Sequence, residues 1–255
     1  MNPITFGSLF AGIGGIDLGF ERCGMQCKWQ VEINDYAQKV LAKHWPKVHR
    51  KRDIRECSAR NLERVDIIAG GFPCQDISYA GLGAGLDGER SGLFFEAIRL
   101  VSELQPRAVV LENVAALLTR GLDRVLGTLA EIGYDAEWHC IPAAYVGAPH
   151  IRDRVFVFAY ANSVGLPRGE KSPLVAKSEQ QLSRLVRPNA WADVSGYKSN
   201  GESHGVPNRV DRLRGLGNAV VPQVAELVGK MVLQRLQSGK SEILPPVIVK
   251  PLDWG

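Results

Sequence analysis

The sequence predicts an α/β fold, a doubly wound and mostly parallel sheet with helices on both faces. Three observations carry that expectation. Short runs rich in Val, Ile and Phe alternate with longer amphipathic stretches, the pattern of parallel strands buried on both faces and joined by covering helices. The first run leads through a glycine-rich turn directly into a helix, FAGIGGIDLGFE at 10–21. Single acids and one cysteine stand at the ends of later runs, along the carboxyl edge where ligands of open α/β sheets bind.

Taken in chain order, strands are expected at 4–10 (ITFGSLF), 27–33 (CKWQVEI), 65–71 (VDIIAGG), 108–114 (AVVLENV), 135–141 (DAEWHCI) and 155–160 (VFVFAY). Helices are expected between them at 15–23, 35–45, 92–104 and 122–132. In the third helix Leu93, Ala97, Leu100 and Leu104 recur near helical spacing. The rhythm stops near Tyr160, and as far as Arg214 the chain is rich in Ser, Gly, Pro, Asn and charge without a helix or strand period. It resumes in VPQVAELVGKMVLQRL (221–236), a helix that tolerates Pro222 in its first turn. The proline-rich tail SEILPPVIVKPLDWG reads as a surface strap, and no internal repeat is evident.

The length of 255 residues suits one large domain, or one domain with a small appendage. At 45% hydrophobic and 23% charged the composition is that of an ordinary globular protein. No run approaches the ~20 apolar residues of a membrane span. The start MNPITFGSLF lacks the basic stretch and apolar core of a secretion signal, so a cytoplasmic protein without membrane partners is expected. Cys23, Cys27, Cys57, Cys74 and Cys140 are an odd set with no C-x-x-C pair, which points away from a disulfide framework and from a zinc site. No metal is expected, and a reduced thiol is free to act as a nucleophile. Residues 160–214 hold nine Lys or Arg against five acids, so the whole formal net charge of +4 resides there. A basic segment beside a balanced body suits a polyanionic partner, and equally a solvated surface segment.

Gly12, Gly14 and Gly15 let backbone approach a ligand, as nucleotide-binding α/β folds require. Glu32 follows the second strand, where the ribose hydroxyls of an adenosine moiety would lie. Asp53 in RDIRE and Glu112 in LENV also sit at strand or turn ends. Cys74 follows the third strand in GGFPCQDIS, fenced by Gly70, Gly71 and Pro73, so its thiol is presented and not packed. Taken singly, each of these has an ordinary structural explanation. Their convergence on one sheet edge does not. Behind Cys74, Gly81, Gly83, Gly85 and Gly88 make a segment suited to closing over a site.

Together these stretches resemble the cytosine-C5 DNA methyltransferases of bacterial or phage type, over about four fifths of the chain and in that family's motif order. FGSLFAGIGGIDLGFE resembles the first cofactor motif, VEINDYAQKV the second and the residues around Asp53 the third. GGFPCQDIS resembles the nucleophile motif, SGLFFE the fifth, ENV the sixth, APHIRDRVFVFA the eighth and GLGNAVVPQVAE the tenth. The resemblance implies the fold of S-adenosylmethionine-dependent methyltransferases. It implies that cofactor, released as S-adenosylhomocysteine, held by Phe10, Gly12, Gly14, Glu32, Ile33, Asp53, Ile54, Leu93 and Asn218. Cys74, Glu112, Arg152 and Arg154 would be catalytic, and Gln75, Ser78, Arg209 and Arg212 would contact DNA. It further implies double-stranded DNA as partner, a monomer, and a cognate restriction endonuclease as a candidate partner. By the same resemblance, residues 1–161 form a catalytic and cofactor-binding domain, 162–208 a reduced target-recognition region, and 209–255 a segment returning to the catalytic domain.

Such a set of residues answers a chemical problem. Cytosine C5 is too weak a nucleophile to take a methyl directly, and a thiolate added to C6 turns it into an enamine carbon. An acid at N3 stabilises the charge that develops, and the base must leave the stack to be reached. Spaced two apart, Arg152 and Arg154 are expected to place both guanidinium groups on one face of a strand; the resemblance sends Arg154 to the cytosine O2 and Arg152 to the support of the nucleophile. The chain departs from the family pattern at His150, where a glutamine is usual, and in the shortness of 162–208. An RNA methyltransferase of the same fold and a catalytically inactive nucleic-acid-binding protein remain the alternatives.

Overall fold

Central strands come first in the logic of the structure, because their sequences are apolar at every position and demand cover on both faces. The computed structural model describes residues 2–73, 92–164 and 209–237, with the backbone alone at 209, 210 and 212–214. Among the described residues the strands are β1 (Thr5–Leu9), β2 (Gln26–Val31), β3 (His49–Lys51), β4 (Ile67–Gly71), β5 (Ala108–Val114), β6 (Tyr134–Cys140) and β7 (Arg154–Ala161). The helices are α1 (Gly15–Arg22), α2 (Asp35–His44), α3 (Gly92–Leu104), α4 (Leu122–Glu131), α5 (Arg209–Asn218) and α6 (Pro222–Gln237).

The seven strands form one sheet in the order β3-β2-β1-β4-β5-β7-β6. Pairings from β3 to β5 are parallel, and β7 runs antiparallel to both β5 and β6. The expected doubly wound, mostly parallel sheet is therefore the one observed. Alternate side chains feed two cores. Phe6, Ile67, Val110, Phe156 and Phe158 join residues of α1 and α6 on one face. Leu9, Ile68, Val109, Val155 and Val157 join residues of α3 and α4 on the other.

Cover on the first face is unusually close. A Cβ at Gly19 of α1 would lie 2.6 Å from the backbone nitrogen of Glu226, so α1 and α6 meet backbone to backbone there. Beneath the glycine turn, Asp17 is fully buried in the first turn of α1, where the helix dipole favours negative charge. The Ser8 hydroxyl donates to its Oδ2 (3.0 Å) and Gln30 Nε2 to its Oδ1 (2.8 Å). Burial nevertheless raises the Asp17 pKa above the ordinary carboxylate value.

Two elements depart from the sequence reading. β3 forms where no strand is expected, and α5 is helical where no period is evident. The segments expected as target-recognition region and surface strap lie, apart from 162–164, outside the described residues, as do Cys74, Gln75 and Ser78.

Candidate active site

The carboxyl ends of β1, β2, β4 and β5 converge on a cavity of about 460 Å³. Phe10, Gly12, Glu32, Leu93, Glu112 and Asn218 all line it, although they come from five separate stretches of chain. Gly12 adopts φ 56°, a left-handed conformation that glycine takes without strain, and a Cβ there would touch nothing. The turn is thus bare backbone facing open space.

Glu32 directly follows β2, and its position is fixed from both sides. Its own N–H donates to the Lys51 carbonyl of β3 (3.1 Å). Its carboxylate accepts the N–H of Gly12 at Oε2 (2.7 Å) and of Asn34 at Oε1 (2.8 Å). Each oxygen keeps a second acceptor site free for a ligand hydroxyl. Asn34 in turn caps α2, its Oδ1 accepting from the Ala37 N–H (3.0 Å). Ile33, Asn34 and Tyr36 also line the cavity.

At the other end stands Glu112, only 8% exposed. It lies within β5, opposite Gly71 of β4 on one side and Phe156 of β7 on the other. Arg154 is opposite Val114, so its side chain shares a face with Phe156 and is the diagonal neighbour of Glu112. Its Nε lies 2.9 Å from Glu112 Oε1. On the remaining side a Cβ at Gly71 would meet Glu112 Oε2 at 2.5 Å, so a larger residue there would displace the carboxylate. Burial raises the pKa of Glu112, opposed by the charges of Arg154 and Arg152 and by the Arg154 hydrogen bond. Desolvation outweighs the ion pair, so the proton is held to higher pH than on an exposed glutamate.

Gly71, Phe72 and Pro73, which immediately precede Cys74 in the sequence, line the cavity as the chain leaves β4. Asn113, next to Glu112 and buried, donates from Nδ2 to the Phe72 carbonyl (3.1 Å) and steadies that strand end. Its place beside Glu112 in the sequence was the signal that could have found it. Asp211 and Val220 also line the cavity.

Other expected residues stand elsewhere. Gly14 caps α1 with φ 87° and faces the Trp45 ring, lining a second cavity of about 690 Å³ together with His150 and Arg152. Neither Asp53 nor Ile54 is among the residues lining the first cavity. Asp53 caps a short 3-10 turn by accepting the Arg55 N–H (3.0 Å) and pairs with the Arg55 guanidinium at 2.6 Å, while Ile54 is core. Arg152 precedes β7 at φ 41° and does not share a strand face with Arg154; its Nη2 donates to the carbonyls of Gly217 (2.7 Å) and Ala219 (2.8 Å). The side chains of Arg209 and Arg212 lie outside the described residues.

The second cavity is larger, but the first alone combines sheet-edge carboxylates, bare glycine backbone and apolar walls. A seven-stranded sheet with one reversed strand, carrying such a cavity at its carboxyl edge, is a Rossmann-like fold. Residues 4–203 match the model of the C-5 cytosine-specific DNA methylase family, and the chain belongs to that family. It is 36% identical over 160 residues to the type II methyltransferase M2.BsuMI of Bacillus subtilis, covering 60% of this chain and 41% of that protein. It is 33% identical over 191 residues to M.HgiCII of Herpetosiphon aurantiacus, covering 73% and 44%. The chain thus spans under half the length of these relatives. The fold is also similar to that of the Entamoeba histolytica methyltransferase EhMeth (TM-score 0.66, 15% identity, 95% of this chain and 100% of that one). For the S. pombe Dnmt2 methyltransferase the TM-score is 0.54 at 15% identity, with 98% and 100% covered.

Proposed function

We propose that the chain is an S-adenosylmethionine-dependent DNA (cytosine-5-)-methyltransferase in which Cys74, Glu112, Arg152 and Arg154 serve the reaction. The observation that carries the reading is Glu112: a buried acid, held by Arg154, beside the strand end that leads into Cys74. The cavity residues suit the cofactor. About 460 Å³ is in the range of small-molecule sites. Glu32 offers acceptors for ribose hydroxyls, Phe10, Ile33 and Leu93 offer apolar surface, and Gly12 and Asn218 border the same space. When bound, S-adenosylmethionine supplies an electrophilic methyl group on a sulfonium.

The chain's own groups do the rest. The Cys74 thiolate adds to C6 of a flipped-out cytosine, forming an S–C bond and shifting electron density toward C5 and N3. Glu112, whose proton burial holds to higher pH than on an exposed glutamate, donates to N3 in its protonated form and offsets that charge. Arg154 orients Glu112 and offers its remaining N–H groups to the base O2. Once C5 is methylated its proton leaves, and the electron pair released re-forms the ring double bond and expels the Cys74 sulfur. Double-stranded DNA is the partner in this reading, with Gln75, Ser78, Arg209 and Arg212 as contacts. A cognate restriction endonuclease, a cytoplasmic setting and a monomeric state complete it.

Trapping tests the reading. Duplex DNA carrying 5-fluorocytosine in randomised flanks should form a denaturation-resistant complex with the wild-type chain and cofactor, because fluorine at C5 blocks release. Cys74→Ala should form none while still binding cofactor. No adduct with wild type would favour a nucleic-acid-binding protein without this chemistry.

A further inference from the structure

Arg152 is turned toward the C-terminal limb of the chain, not toward the base. Its Nη2 donates to two carbonyl oxygens, of Gly217 at 2.7 Å and of Ala219 at 2.8 Å. These flank Asn218, the last residue of α5, and the Gly217 carbonyl belongs to the final turn, where intrahelical partners run out. A cation at a helix C-terminus is the favourable arrangement. Asn218, Ala219 and Val220 line the first cavity, and the Val220 carbonyl presses so closely on Gly15 that a Cβ would not fit. The Arg152 backbone holds φ 41°, uncommon for a non-glycine residue and kept only where surroundings over-determine it.

We propose that Arg152 is a positioning residue for the cofactor: it fastens the Gly217–Val220 segment as the far wall of the cavity. The proposal rests on reading this cavity as the S-adenosylmethionine site. The arginine is then required for cofactor affinity, through Asn218 to Val220, more than for the chemistry at the base.

The test is direct cofactor binding to the full chain by calorimetry, alongside steady-state kinetics. Arg152→Ala should weaken S-adenosylmethionine binding about tenfold or more, since two charge-assisted hydrogen bonds are lost. KM for the cofactor should rise by a larger factor than kcat falls. Arg152→Lys, which keeps a cation with its own N–H donors at the helix end, should recover part of the affinity. If Arg152→Ala does not fold by circular dichroism, Arg152→Met, which keeps the bulk without the donors, carries the same expectation. Unchanged cofactor affinity in a folded Ala or Met variant, with kcat lost, would overturn the proposal, as would a Lys variant no tighter than Ala. A wild-type chain that does not bind S-adenosylmethionine would instead overturn the reading of the cavity.

Discussion

A carboxylate paired with an arginine at 2.9 Å would ordinarily be held ionised, yet Glu112 is pushed the other way. The reason is its place in β5, with β4 on one side, β7 on the other and Gly71 admitting it to a space with little water. Arg154 moderates that shift without cancelling it. Because the folded pKa is raised, the protonated form, and the stability it brings, is present below the ordinary glutamate value. Both are lost as pH rises through the raised one. Arg154→Met removes the largest opposing charge, so the Glu112 titration should move to still higher pH. A ¹³C carboxyl titration by NMR checks this; a downward move would mean that Arg154 does not favour the ionised carboxylate. In the proposed reaction the same window sets where Glu112 can donate to N3.

At the scale of elements, the cavity depends on how closely α6 lies on α1. Gly19 is the point of approach, and Gly229 of α6 sits within contact distance of where its own Cβ would meet Cys23 and Phe20. Gly19→Ala should destabilise the fold by about 1–3 kcal/mol, the usual cost of overpacking, read from denaturant melts. It should also weaken cofactor binding, because α6 follows directly on the Ala219–Val220 wall. A variant as stable as wild type would mean that the two helices separate freely. The strands and helices with apolar periods were legible in the sequence for the same reason that they pack. β3 was not, since HRK at 49–51 carries no apolar signal and forms because β2 offers it an open edge. Nor was α5, whose sequence RVDRLRGLGN holds two glycines and four charges. A Cβ at Gly215 would stand 3.1 Å from Ile13 and 3.7 Å from Tyr36, so the glycine lets α5 settle against both, and packing overrides a poor propensity. Glu32, Glu112 and Arg154 were legible because strand ends converge in this topology. Asp53 pairs with Arg55, a pairing that sequence position does not reveal.

Across the whole molecule, one reversed strand makes the site. With β7 antiparallel between β5 and β6, Arg154 begins its strand at the carboxyl edge, beside Glu112. A parallel strand there would present its C-terminal residue instead. The C-terminal limb then returns over the same edge through α5 and α6, closing the cavity from a point some 200 residues away in sequence from the glycine turn. The measurement that bears most directly on the proposed function is transfer of isotope-labelled methyl from S-adenosylmethionine to duplex DNA and, in parallel, to tRNA. Nucleosides are then resolved by mass spectrometry. The expected result is label in 5-methyldeoxycytidine from the duplex, dependent on Cys74. Label confined to tRNA, on an exocyclic nitrogen, or on no nucleoside at all would contradict it.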